Sequence, residues 1–322
     1  MSDFIHGGLY GLVILSVIMT ITAFALWFER KFAARMQSRI GPNMVGPAGL
    51  LQPVADIVKL LQKEDIIPAG ADALLFNIAP LLGAIAALGA AAVIPFSPTA
   101  IGADLDIGVV FLLAIGAVTV LPVFAAGWAS NNKFALLGGM RAISQSISYE
   151  IPMVLAAMVP VILAGTMRVS GIVTWQSQHH WVAVWPFFLG LPAFVIFMLA
   201  MLAESNRIPF DIPEAESELV AGITTEYTGI KFVLFYVAEY VHTLVASAVA
   251  VSLFLGGWDG PFAPGLHWMV GKTLLLFASV YWIRWSLLRF RSDQLLHMCW
   301  YWLVPVGVLL VLASAVWVNV VG

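Results

Sequence analysis

Eight apolar segments divide this 322-residue chain, each close to the roughly 20 residues that a helix needs to cross a bilayer. They lie near residues 9–27, 73–94, 107–128, 146–165, 181–203, 232–255, 269–285 and 298–321. The fourth carries Glu150 and Pro152, and the seventh carries Lys272 and Arg284. Only 10% of the residues are charged, against about 25% in a soluble domain, and 61% are hydrophobic. The expected fold is therefore an all-α integral membrane protein of about eight transmembrane helices, with residues 1–322 forming a single polytopic domain. Trp27, Trp128, Trp181, Trp185, Trp285 and Trp300 fall at span ends, where interfacial aromatics belong.

Orientation follows from the cations. Thirteen of the 15 Lys and Arg fall on one side of the eight-span layout, and only Arg168 and Lys272 fall on the other. The rich side is the inner one. In a bacterial inner membrane both termini then lie on the periplasmic side. No cleavable leader is expected, because no Lys or Arg precedes the first apolar run and that run is of spanning length. A further element reads between residues 50 and 63. Leu50, Leu51, Val54, Ile57, Val58 and Leu61 recur at helical spacing, opposite Gln52, Asp56, Lys59 and Lys63. This pattern predicts an amphipathic helix in the inner interface.

Several chemistries are excluded by composition. A net charge of −3 gives no electrostatic footprint for nucleic acid. The single Cys299 rules out an internal disulfide and a Cys-ligated iron–sulfur cluster, which takes about four thiolates. The six His have no metal-binding spacing, so no metal site is expected. No phosphate loop or nucleophile elbow is present.

Against this background, residues 204–218 stand out. They hold Glu204, Asp211, Glu214, Glu216 and Glu218 with one cation, Arg207, and Glu226 and Glu239 follow. The expected acidic inner loop spans about 204–230. Carboxylates beside lipid are costly unless functional. Crowded together they cannot all ionise at neutral pH, which is how a protein stores and passes protons. A short helix from Pro213 through Val220 would set Glu214 and Glu218 on one face at i,i+4, where like charges repel. The plain alternative is a solvated acidic loop that docks a basic partner. Glu150 sits at the inner end of span four. Glu239 lies about two turns into span six, between Tyr236 and His242, so the three share a face. Glu29, Arg30 and Lys31 close span one, and Arg289, Arg291 and Asp293 repeat that pattern before span eight. Inner-side anchoring accounts for most of the first group.

Motifs spread over the chain carry a resemblance. They include Phe28-Glu-Arg-Lys31, Gln37-Ser-Arg-Ile-Gly-Pro-Asn43, Lys63-Glu-Asp65, Gly127-Trp-Ala-Ser-Asn-Asn-Lys133, Ser148-Tyr-Glu150, Asn206-Arg-Ile-Pro-Phe-Asp-Ile-Pro-Glu-Ala-Glu216 and Arg291-Ser-Asp-Gln-Leu295. From Glu29 to Leu295 the chain resembles the H-type membrane subunits of proton-pumping NADH–quinone oxidoreductase, respiratory complex I, a family whose mitochondrial counterpart is NADH dehydrogenase subunit 1. Two positions depart from that pattern. Met44 stands where the family usually has Arg, and Tyr301 stands where it usually has Lys.

The resemblance implies a membrane wall for a quinone chamber, with quinone as substrate and no cofactor bound by this chain. NADH, FMN and iron–sulfur clusters would belong to partner subunits. Those partners would be the hydrophilic quinone-module subunits carrying the terminal cluster, together with small and antiporter-like membrane subunits in the same lipid bilayer. It implies a proton path of Glu150, Glu204 and Glu239 in the membrane and Asp211, Glu214, Glu216, Glu218 and Glu226 on the chamber side. It implies quinone contacts at Arg30, Arg39, Asp56, Phe210, Arg291 and Asp293. The readings that compete are a membrane anchor of a related energy-converting hydrogenase or ferredoxin-fed complex, and a stand-alone cation transporter.

Overall fold

A computed structural model describes residues 2–321; the side chains of residues 2–10, 12–14, 216, 217 and 321 lie outside the described set. The chain is helical throughout, and the isolated bridge between Pro95 and Ile101 is the one β-type pairing among the described residues. Helix α1 (Ser2–Met36) covers the first expected span and runs on past it. A tight turn leads into α2 (Gln52–Leu61), which begins with Pro53 in its first turn, where proline is tolerated. Leu51, Val54, Val58 and Leu61 stand exposed along this segment.

The spanning helices follow. Asp72 caps α3 (Ala73–Ala91) by accepting from the amides of Leu74 and Leu75. Helices α4 (Gly108–Val118) and α5 (Val120–Ala129) form one rod interrupted at Thr119, whose hydroxyl donates to the Gly116 carbonyl. Helix α6 (Lys133–Ala164) is the long central element, and a shorter α7 (Val169–Gln178) follows it. Next come α8 (Phe187–Glu204), the single turn α9 (Glu216–Leu219), α10 (Gly229–Phe254) and α11 (Leu266–Ser286). Helix α12 (Ser292–Met298) continues through a π-helical turn at Cys299–Leu303 into α13 (Val304–Val321). Pro305 explains that turn: it cannot donate to the carbonyl one turn back, so the ladder widens there. Among the described residues seven helices are long and apolar enough to cross a membrane.

Three expectations shift. The fourth span starts at Lys133 rather than near residue 146, because Asn132 caps the amide of Phe134 and the added turns bury Ala135, Gly138, Gly139 and Ala142. The fifth starts at Phe187, because Trp181–Pro186 turns instead, with Ala183 donating to the α10 carbonyl of Phe254. The helix expected from Pro213 through Val220 is only the turn Glu216–Leu219.

Helix α6 packs on α5, α8 and α13, while α10 packs on α3 and α11. Several ion pairs lie at the two ends of the bundle. One end holds Asp65–Lys231 at 2.8 Å, Arg141–Glu218 at 2.5 Å, Arg289–Asp211 at 3.2 Å and the Arg30–Asp56 pair. The opposite end holds Arg168 with Asp104 and Asp106, and Lys272 over the ring of Trp181.

Candidate functional site

The loop that follows α8 turns back into the bundle. Its anchor is Arg207, only 1% exposed, whose Nε lies 3.0 Å from Glu239 Oε1 on α10. The guanidinium sits over the rings of Tyr240 and Tyr281, with 4.3 and 5.7 Å to the centroids. A second buried pair lies beside it. Arg284 of α11 donates to Glu29 of α1 at 2.6 Å, and the Tyr240 hydroxyl donates to the other oxygen of Glu29. Tyr236 lies 3.2 Å from Tyr240, hydroxyl to hydroxyl. Two cations and two carboxylates thus share one aromatic nest joining α1, α10, α11 and the loop. Buried charges demand this kind of pairing.

One turn on from Glu239, His242 Nε2 lies 3.5 Å from Glu204 Oε1 at the end of α8. Glu204 lies between three cavities. The first, about 70 Å³, is also lined by Glu214, Glu239 and His242. The second, about 30 Å³, again touches His242. The third, about 310 Å³, lies between α4 and α6 and is lined by Glu150 and Tyr149. Ser146 donates to Glu150. Glu214, Glu239, His242, Glu204 and Glu150 therefore form a series of titratable groups that crosses the bundle from the loop to α6. Gly116 makes the middle of it possible, since a Cβ there would overlap Glu204 Oε1.

The loop carboxyls are tuned by burial. Asp211 is pushed up to about 6, because burial outweighs the attraction of Arg289 and Arg284 and Glu239 adds repulsion. Glu214 is pushed up to about 8, first by burial and then by the charges of Glu239 and Asp211, against the pull of Arg207 and Arg284. Glu218 behaves oppositely: Arg141 holds its carboxyl below the usual range.

Not every expected site residue joins this series. Glu218 points outward to Arg141, so it does not share a face with Glu214. Glu226 accepts from Asn132 at 2.6 Å and lines a separate recess with Lys133 and Gly70. The side chain of Glu216 lies outside the described residues. Asp56 pairs with Arg30 where α2 meets α1, and Arg39 bonds to Gln37. Arg291 and Asp293 face each other at 3.3 Å, both well exposed. Phe210 is completely enclosed and stacks on Phe290 at 5.6 Å, which pins the loop to the segment before α12. Among the described residues no group of three His, Cys, Asp or Glu is placed to hold a metal ion.

Sequence reasoning left Glu29 and Arg284 out of the candidate site. The available signal was Glu29 itself, since an acid adds nothing to inner-side anchoring by cations.

Comparison with known proteins gives the family. The NADH dehydrogenase family model matches residues 9–315. The second of the NADH-quinone oxidoreductase H subunits of Geobacter sulfurreducens is 46% identical, over 98% of this chain and 96% of its own length. The corresponding H subunits of Dehalococcoides mccartyi and Anaeromyxobacter dehalogenans are 45% and 44% identical over 95% of this chain, and over 86% and 80% of their own lengths. Matched along nearly its whole length by the family model and by these relatives, the chain belongs to the NADH dehydrogenase family, among the H subunits of NADH-quinone oxidoreductase.

Proposed function

We propose that this chain is the membrane wall of the quinone chamber in a proton-pumping NADH–quinone oxidoreductase, and that it carries protonation changes from that chamber into the membrane. The observation that carries this reading is the shared position of Glu204, which lines all three cavities between Glu214 and Glu150. Reducing a quinone to quinol takes two electrons and two protons. The electrons come from an iron–sulfur cluster in a hydrophilic partner subunit. Protons taken up at the chamber leave negative charge beside Asp211 and Glu214, which already compete for ionisation. The Glu239–His242–Glu204–Glu150 series then shifts its protons, and small and antiporter-like membrane subunits next to α4 and α6 respond. Glu218 and Glu226 belong to the rim that meets the hydrophilic subunits. Arg30, Arg39, Asp56, Arg291 and Asp293 border the chamber mouth, and α2 lies in the lipid interface beside it. The membrane is the bacterial inner membrane, with both termini on the periplasmic side.

The test is Glu204→Gln in assembled complex, reading inhibitor-sensitive NADH-driven reduction of a short-chain quinone and proton uptake by inverted vesicles. Glutamine keeps the size of the side chain beside His242 but cannot exchange a proton. Assembly is expected to persist while pumping falls by about tenfold or more. Wild-type pumping in Glu204→Gln and in Glu239→Gln would sink the reading.

Gly116→Ala probes the same point by geometry. The added methyl must displace the Glu204 carboxylate from His242. Coupled turnover is expected to fall roughly tenfold, the scale of a small misplacement. Gly271→Ala on α11, where a Cβ meets nothing, is the control and should match wild type in the same assay.

A further inference from the structure

One stripe of α6 seats the acidic loop. Gly138, Arg141 and Gln145 lie at helical spacing on one face, and each meets a different part of the loop. At Gly138 the Pro213 carbonyl comes so close that a Cβ would stand 2.8 Å from it. Arg141 reaches Glu218 at 2.5 Å. Gln145, 2% exposed, lies deepest. Its Nε2 is 2.6 Å from the Ala203 carbonyl, 2.9 Å from the Phe210 carbonyl and 3.2 Å from Asn206 Oδ1. Three oxygens around one terminal atom identify it as the amide NH2, the only end of the side chain that donates.

Those acceptors stand on both limbs of the loop. Ala203 immediately precedes Glu204, and Phe210 immediately precedes Asp211. Between the limbs runs Arg207, the residue bound to Glu239. A single amide therefore closes the loop across its base, from the same helix that carries Glu150 five residues further on. We infer that Gln145 is a positioning residue of the proton path, holding the acidic loop at the depth where its carboxyls face Glu239 and Glu204. The inference rests on the proton-path reading above and adds the residue that sets its geometry.

A clamp that only held helices together would change how much complex forms, not how its carboxyls titrate. A positioning residue changes the titration. The groups concerned are Glu214, faced by Glu239, Asp211, Arg207 and Arg284, and Asp211, faced by Arg289, Arg284 and Glu239. The experiment is the pH profile of inhibitor-sensitive quinone reduction and of pumping by assembled complex in native membranes, for wild type, Gln145→Met, Gln145→Glu and Glu214→Gln. Methionine keeps the length and volume of Gln145 and removes the donors. The expected result is a midpoint displaced by about one pH unit in Gln145→Met, in the complexes that assemble. In Gln145→Glu, activity is lost at high pH, where an ionised carboxylate faces three acceptors, and recovers as pH falls and the carboxyl gains an O–H to donate. An unshifted profile in Gln145→Met overturns the inference. Should Gln145→Met not assemble, the Gln145→Glu profile decides, and the absence of recovery at low pH overturns it. If instead Glu214→Gln keeps the wild-type profile and pumping, the proton-path reading itself fails, whatever the Gln145 variants do.

Discussion

Replacing Arg207 with methionine will remove most of the assembled complex from the membrane, and replacing Glu239 with glutamine in the same chain will restore a large part of it without restoring pumping. Arg207 is almost wholly enclosed, 3.0 Å from Glu239 and stacked over Tyr240. Breaking one side of a buried ion pair costs about 3–5 kcal/mol, because the other charge is left stranded. The lost cation–π contact adds up to about 2 kcal/mol in a desolvated nest. Against a total stability on the order of 5–15 kcal/mol, that is a large fraction. The double variant removes the stranded carboxylate, so its cost should fall short of the sum of the singles by about 1–3 kcal/mol. Thermal-shift midpoints and native-gel yields of the four-member cycle measure this. Strict additivity would mean that Arg207 and Glu239 do not depend on each other. Pumping should remain absent in the double variant, since Glu239 no longer exchanges protons. Recovery of pumping together with yield would reduce the pair to a fastener.

Which parts of this arrangement can be read from the chain depends on the range of the interaction involved. The spans are legible because the bilayer fixes a length and a polarity that every helix must meet locally. The early start of α6 is not, because Lys133, Arg141 and Gln145 lower the hydropathy of a segment whose small residues are nonetheless buried. Glu239 and His242 show as a stripe because three residues on a helix define a face. Glu29 does not, because Arg284 lies 255 residues away and no local pattern joins them. The expected pairing of Glu214 with Glu218 fails for a related reason. Gln145, Arg289 and the Phe210–Phe290 stack hold the loop from outside and keep residues 213–215 out of helix. Glu214 is thereby turned inward and Glu218 outward, a division set by tertiary contacts.

Glu214 gives the sharpest pH signature. Its folded value is about 8, above the ordinary carboxyl value of 4.5, and burial is the first cause. A raised carboxyl pKa means that the folded state binds the proton more tightly than the unfolded state does. The stabilisation is therefore fully present below about 4.5 and is lost progressively as pH rises to about 8, at about 1.4 kcal/mol per pH unit. Asp211 acts in the same direction over a narrower window, ending near 6. The thermal midpoint of the complex should fall as pH is raised from 5 toward about 8 and level off above it. Glu214→Gln mimics the protonated form, so it should flatten most of that slope and match or exceed wild-type stability at pH 8. It should also lose pumping at every pH, because the fixed amide cannot release a proton to Glu239. The two effects are opposite in sign, and that opposition excludes a packing explanation: a merely structural residue would lose stability and activity together. A Glu214→Gln complex with the wild-type pH slope would show that the carboxyl is ionised in the resting complex. The charge balance of the cavity would then have to be carried by Glu239 and Arg207 alone.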